Sequence, residues 1–171
     1  MPPPQKSVFS FRRWRILRRM NRHEHFMEMA LEEARIAAQE GEVPIGAVLV
    51  CNGSVVAWSH NRVEQLKNPT AHAELLAIQE AIARQQGKWL HECALYVTLE
   101  PCPMCAGAIL LARIPELYFG AFDANAGAAG TLFSITADPR LNHAAQTWGG
   151  ICADQSAQLL QQFFREQRIR K

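Results

Sequence analysis

Ala94-Leu-Tyr-Val-Thr-Leu99, Glu100-Pro101, Cys102-Pro-Met-Cys-Ala-Gly-Ala-Ile-Leu-Leu-Ala-Arg113 and Glu116-Leu-Tyr-Phe119 form the stretch that decides the fold. The first segment is a short apolar run of the kind that makes a buried strand. Cys102 to about Arg113 reads as an apolar helix, and Glu116 to Phe119 as a second strand. Strand–helix–strand order implies a crossover onto a largely parallel part of one sheet, with helices covering both faces. Upstream, Ala71 to about Gln86 carries Leu75, Leu76, Ile78, Ala81 and Ile82 at helical spacing, and Gly87 marks its stop. Pro44 to Val50 is a nearly continuous apolar run, and Asn52-Gly53 is a strong hairpin signal before Val55-Val-Ala-Trp58. His25 to about Glu40 gives an amphipathic helix through Phe26, Met29, Ala30, Ala34, Ile36 and Ala37, with Gly41 at its end. Downstream, residues 123–130 are a Gly/Ala-rich loop and Ser156 to about Arg168 is a last helix. The expected order is α-β-β-α-β-α-β, a tail and a final helix, with no internal repeat.

Two short motifs fall where strands pass through loops into helices: His72-Ala73-Glu74 and Pro101-Cys102-Pro103-Met104-Cys105. His72, Cys102 and Cys105 are three good zinc ligands, and a catalytic zinc site leaves its fourth tetrahedral position to water. Zinc lowers the pKa of that water to about 7. Glu74 would then move protons between water and substrate. Cys102 and Cys105 share one side of a first helical turn, where the positive end of the helix favours thiolate. His72 and Glu74 lie about 200° apart around an ideal helix, which keeps Glu74 out of the ligand set. A lone C-x-x-C is more often a redox pair or half of a structural zinc site. A redox pair gives His72 and Glu74 no task, and no second C-x-x-C or paired His supplies a fourth structural ligand.

A chain of 171 residues is expected to form one domain with a real core. No apolar run approaches ~20 residues, so no transmembrane helix is expected. The N-terminus lacks an apolar signal segment. Five cysteines, two of them assigned to metal, suit a reducing compartment. Cys51, Cys93 and Cys152 read as small core residues, and a cytoplasmic location is expected. The net charge of +2 hides an asymmetry: residues 1–22 hold seven basic groups and no acid, leaving 11 basic against 16 acidic groups in the rest. Residues 1–22 read as an extension outside the fold. A helical arm for RNA or an anionic surface, a disordered tail, and a start misassigned upstream of Met20 all fit it. The other dense basic run is Arg165, Arg168, Arg170 and Lys171.

At these residues the chain resembles the zinc-dependent cytidine/deoxycytidylate deaminase superfamily, whose signature has the form H-x-E…P-C-x-x-C. Within it, the chain is similar to bacterial tRNA-specific adenosine deaminases of the TadA type. The likeness runs from about His25 to Arg168. It includes Glu42-Val-Pro-Ile-Gly-Ala-Val-Leu-Val50, Asn61-Arg62, Asn68-Pro-Thr-Ala-His-Ala-Glu74 and Leu95-Tyr-Val-Thr-Leu-Glu-Pro-Cys102. Gly127-Ala-Ala-Gly130, Asn142-His143 and Phe163-Phe164 point to the tRNA branch. The resemblance implies an α/β, three-layer α-β-α cytidine-deaminase-like fold with a central mixed sheet over residues 23–171. It implies one zinc per chain, a homodimer, and hydrolysis of adenosine to inosine at the wobble position of a tRNA anticodon. By the same match, Asn61 would bond the substrate nucleoside, and Asp123, Asn142, His143, Phe164 and Arg168 would face the anticodon loop. Glu166-Gln167 stands where relatives often carry further basic residues.

Plainer readings accompany each contact residue. Asp123 and Asn142 could cap turns, and His143 could be a surface residue. Phe163 and Phe164 are adjacent, so one packing inward and one left for a base to stack on is expected. Two other functions fit at this point: a free-base or nucleoside deaminase acting on guanine or cytosine, and a non-catalytic zinc-stabilised RNA-binding subunit.

Overall fold

The computed structural model describes residues 9–169, with side chains from Arg22 onward. Five strands form one mixed sheet in the order β2-β1-β3-β4-β5. β1 (Gly46–Cys51) and β2 (Ser54–His60) are the expected hairpin. Its turn residues Asn52 and Gly53 both have positive φ, 51° and 80°, as a tight two-residue hairpin turn requires. β3 (Cys93–Leu99) pairs antiparallel with β1 and parallel with β4 (Glu116–Ala121). The crossover between β3 and β4 is α4 (Pro103–Leu111), so the stretch that opened the reading is a β-α-β unit.

Alternation along the strands divides the core in two. Ala47, Leu49, Leu95, Val97, Leu117 and Phe119 face α3 (Ala73–Gln85) and α4, joined by Ala77, Ile78, Ala81 and Ile109. Val48, Val50, Ala94, Tyr96 and Tyr118 face the opposite way, against Phe26, Met27 and Ala30 of α1 (Phe9–Gln39). α5 (Ala153–Ile169) packs beside α1 against β4. Gly46 sits where α1 crosses β1 closely. A Cβ there would meet the Ala30 carbonyl and come within 2.6 Å of the Ala34 nitrogen.

Several expectations are corrected in detail. α1 begins at Phe9 and not near His25, since no Gly or Pro interrupts a segment rich in helix-forming residues. Its buried stripe includes Met27 and Leu31, whereas Ile36 is exposed. α3 ends on Gln86 in the left-handed conformation, one residue before Gly87. A four-residue helix α2 (Val63–Leu66) and a three-residue strand β5 (Gln146–Trp148) were not expected. Cys51 and Cys93, read as separate core thiols, are opposed across β1 and β3 and joined as a disulfide. Only the strand register makes them neighbours. Residues 1–8, Arg170 and Lys171 lie outside the described residues, as do the side chains before Arg22. Among the described residues, no helix is long and apolar enough to cross a membrane.

Candidate active site

The ends of two helices meet at the carboxyl end of β3. His72 is the extended N-cap of α3, and Cys102 the extended N-cap of α4, followed by Pro103 at the first helical position, where proline's missing N–H costs nothing. His72 Nδ1 lies 3.7 Å from Cys102 Sγ and 3.6 Å from Cys105 Sγ. All three donor atoms fall within 4.8 Å of one another. A tetrahedral zinc with Zn–S of about 2.3 Å and Zn–N of about 2.0 Å has N···S edges of about 3.6 Å. The donor set therefore fits zinc in both chemistry and spacing.

Electrostatics within the cluster agree. Hydrogen bonds from Cys105 and His72 pull the Cys102 thiol down to about 4, against the cost of burial. The bond to Cys102 also raises the His72 imidazole above its usual range. The interaction with Cys102, together with burial, pushes the Cys105 thiol up. A dication held here would favour the ionised form of both sulfurs.

Glu74, in the first turn of α3, is 3% exposed, and burial pushes its carboxyl up to about 7. Its Oε2 is a buried side-chain atom with no hydrogen-bond partner among the described residues. A buried oxygen left bare is costly. It lies beside the three metal donors, close enough to His72, Cys102 and Cys105 to shift with their charges.

Asn61 is 4% exposed, and its Oδ1 accepts the Ala73 N–H at 2.9 Å. Its carboxamide therefore pins the first turn of α3 and offers only its N–H donors to a ligand. Asp123 accepts the Asn125 N–H through Oδ1, so the turn-capping reading holds for it. The remaining contact residues are not gathered here within one chain. Asn142 and His143 lie at the far end of α4: the Asn142 carbonyl accepts from Arg113, and His143 Nε2 donates to the Ile114 carbonyl at 2.9 Å. Phe164 and Arg168 are on α5. Phe163 is half-buried and Phe164 is 44% exposed, the two rings meeting edge-on.

Two carboxylates that the sequence left without a task flank the site. Glu42, buried, accepts the N–H groups of Glu64 and Gln65 at 3.1 and 2.8 Å and so caps α2, between Asn61 and His72. Glu100, 2% exposed, accepts from the backbone of Asp123, Ala129 and Thr131. Burial would raise its carboxyl, but donors from Thr131, Asp123 and Ala129 outweigh that and hold it below the usual range. The available signal was an acid embedded in an otherwise apolar strand end.

Residues 20–121 match the model of the cytidine and deoxycytidylate deaminase zinc-binding region. The tRNA-specific adenosine deaminase of Bacillus subtilis is 46% identical over 153 residues, covering 89% of this chain and 94% of that one. A solved structure from work on A-to-I editing by tRNA:A34 deaminases at the wobble position of transfer RNA superposes with a TM-score of 0.77. It is 47% identical, covering 80% of this chain and 99% of that one. The guanine deaminase of Nitrosomonas europaea shares the fold at a TM-score of 0.69, with 25% identity over 82% of this chain and 83% of that one.

Proposed function

The chain belongs to the cytidine and deoxycytidylate deaminase zinc-binding family and to its tRNA-specific adenosine deaminase branch, and on that premise we propose how its residues divide the work. The reaction is hydrolysis of adenosine to inosine, with release of ammonia, at the wobble position of a tRNA anticodon loop.

His72, Cys102 and Cys105 hold one zinc per chain, which when bound makes water nucleophilic at neutral pH. Glu74 takes a proton from the water that adds to C6 of the adenine. It gives that proton to N1 of the ring, then carries the remaining proton of the new C6 hydroxyl to the amine, which leaves as ammonia while C6 becomes a carbonyl. Burial raises the Glu74 carboxyl, which favours a group that accepts a proton and gives it back. Asn61 donates to the nucleoside while its oxygen stays on Ala73. The base must leave its stack to reach this pocket, which is cheap in a single-stranded anticodon loop. Asp123 reads the loop near the pocket, and Phe164 offers a face to a flanking base. Arg168, with Arg165, meets phosphates.

The observation that carries the reaction is the buried, unpartnered Oε2 of Glu74 beside the three metal donors. A zinc-stabilised binding module has no use for it. Asn142 and His143 belong to the RNA surface through a second copy of the chain. They line a groove of about 430 Å³ with Trp89, Leu110 and Leu141 along α4, where Leu111 is 80% exposed. Two copies packed on this apolar face form the homodimer we propose and bring the partner's far end of α4 toward the RNA. A cytoplasmic location fits work on tRNA.

Nucleoside mass spectrometry of a tRNA pool before and after incubation tests the function. Adenosine in the pool is expected to fall as inosine rises. A pool left unchanged by zinc-loaded protein refutes the assignment.

A further inference from the structure

We propose that Glu100 is a positioning residue for this deamination: its buried carboxylate locks the Asp123–Thr131 loop onto the turn that carries Cys102. The inference rests on the tRNA reading above, since that loop carries Asp123.

Four donors converge on one carboxylate. The Asp123 N–H reaches Oε2 at 3.1 Å, and the Ala129 and Thr131 N–H groups reach Oε1 at 3.0 Å each. The Thr131 hydroxyl donates to Oε2 as well. The neighbouring backbone adds two more ties: Glu100 N–H to the Ala121 carbonyl at 2.9 Å, and Ala128 N–H to the Pro101 carbonyl at 2.8 Å. Gly127 lets the loop close over the acid. A Cβ there would come within 2.6 Å of Glu100 Cδ and 2.5 Å of the Asp123 carbonyl. No Lys or Arg pairs with Glu100 among the described residues.

A carboxylate is withdrawn from water only at high cost, and here three backbone amides and the Thr131 hydroxyl repay it without a cation. An apolar side chain would fill the same position and end β3 equally well. What it could not do is fix three backbone amides, spread over nine residues of loop, at one point two residues from Cys102. The clamp therefore sets the distance between the pocket and the loop that meets the RNA. Misplacement by about 1 Å can cost on the order of 10²-fold in rate.

The test uses the zinc-loaded full chain and an anticodon stem-loop with a wobble adenosine. Zinc content, melting temperature, kcat and KM are measured for wild type and for Glu100→Gln, Glu100→Asp, Thr131→Val, Asp123→Ala and the Glu100→Gln/Asp123→Ala double variant. Glu100→Gln puts an NH2 against N–H donors. It is expected to lower kcat/KM by about 10²-fold, mostly in kcat, at wild-type zinc content. Glu100→Asp should recover part of the loss. Thr131→Val removes one donor and should cost a few-fold, which keeps the proposal testable should Glu100→Gln fail to fold. In the double variant, Asp123→Ala should add little to Glu100→Gln, because the contact is already lost. Wild-type kinetics in Glu100→Gln or in Thr131→Val overturn the inference alone. So do fully additive losses accompanied by zinc loss, which mark a merely structural role. A wild-type chain inert on the stem-loop overturns the substrate reading, and this inference with it.

Discussion

The metal-donor cluster and the proposed RNA-facing rim are built on opposite plans. His72, Glu74, Cys102 and Cys105 come from two helix starts; the ligand atoms are 3.6–3.7 Å apart from His72 outward, and Glu74 and Cys105 are buried. Asp123, Asn142, Phe164 and Arg168 come from two loops and a helix and are half-buried or exposed. A pocket that must hold an ion and a desolvated acid has to be finished before substrate arrives. A rim that grips a flexible loop can be left open and shared between subunits. On the proposed reading, the chemistry is preassembled within one chain, while recognition is completed by the RNA.

The contrast can be broken most severely at Cys105. Cys105→Ser is expected to reduce zinc to background and abolish deamination, because a buried ligand has no substitute. Metal analysis showing full occupancy would remove Cys105 from the ligand set. Glu74→Gln sharpens the same region: zinc should stay, while kcat falls by at least ~10²-fold. Parallel loss of metal and rate would mean that Glu74 coordinates and does not shuttle protons. On the rim, Phe164→Ala should keep zinc and melting temperature. Its kcat/KM on RNA should fall roughly 5- to 150-fold, the range of one lost base stack. An unchanged value would take Phe164 off the RNA surface. The smallest effect is expected from deleting residues 1–19. Zinc should be retained and affinity changed only modestly, with a shallower dependence on salt as basic groups are lost. A truncated chain that is insoluble or metal-free would show that the segment belongs to the core.

What could be read from the sequence follows the same division. The ligands and Glu74 were legible because each motif spans a few residues and its helix start fixes its geometry. The hairpin and the β-α-β unit were legible because Asn52-Gly53 and the apolar runs are local signals. The clamps were not: Glu42 and Glu100 meet donors 22 to 31 residues away, and no pattern announces such a pairing. β5 escaped because Gln146-Thr-Trp148 is short and lacks an apolar run. The Cys51–Cys93 disulfide depends on a register that forms only when β3 docks beside β1. Asn142 and His143 could be named from their resemblance to known enzymes. Their place at the far end of α4 needed the fold.

On the proposed reading, remote RNA contacts hold the flipped adenosine in its reactive position. The direct test is kcat/KM of the zinc-loaded chain for a wobble-adenosine stem-loop, measured beside free adenosine, cytidine and guanine at the same enzyme concentration. Inosine is expected from the stem-loop alone, the small molecules remaining untouched. Brisk turnover of a free base or nucleoside, with the stem-loop inert, would contradict the account and make this a small-molecule deaminase.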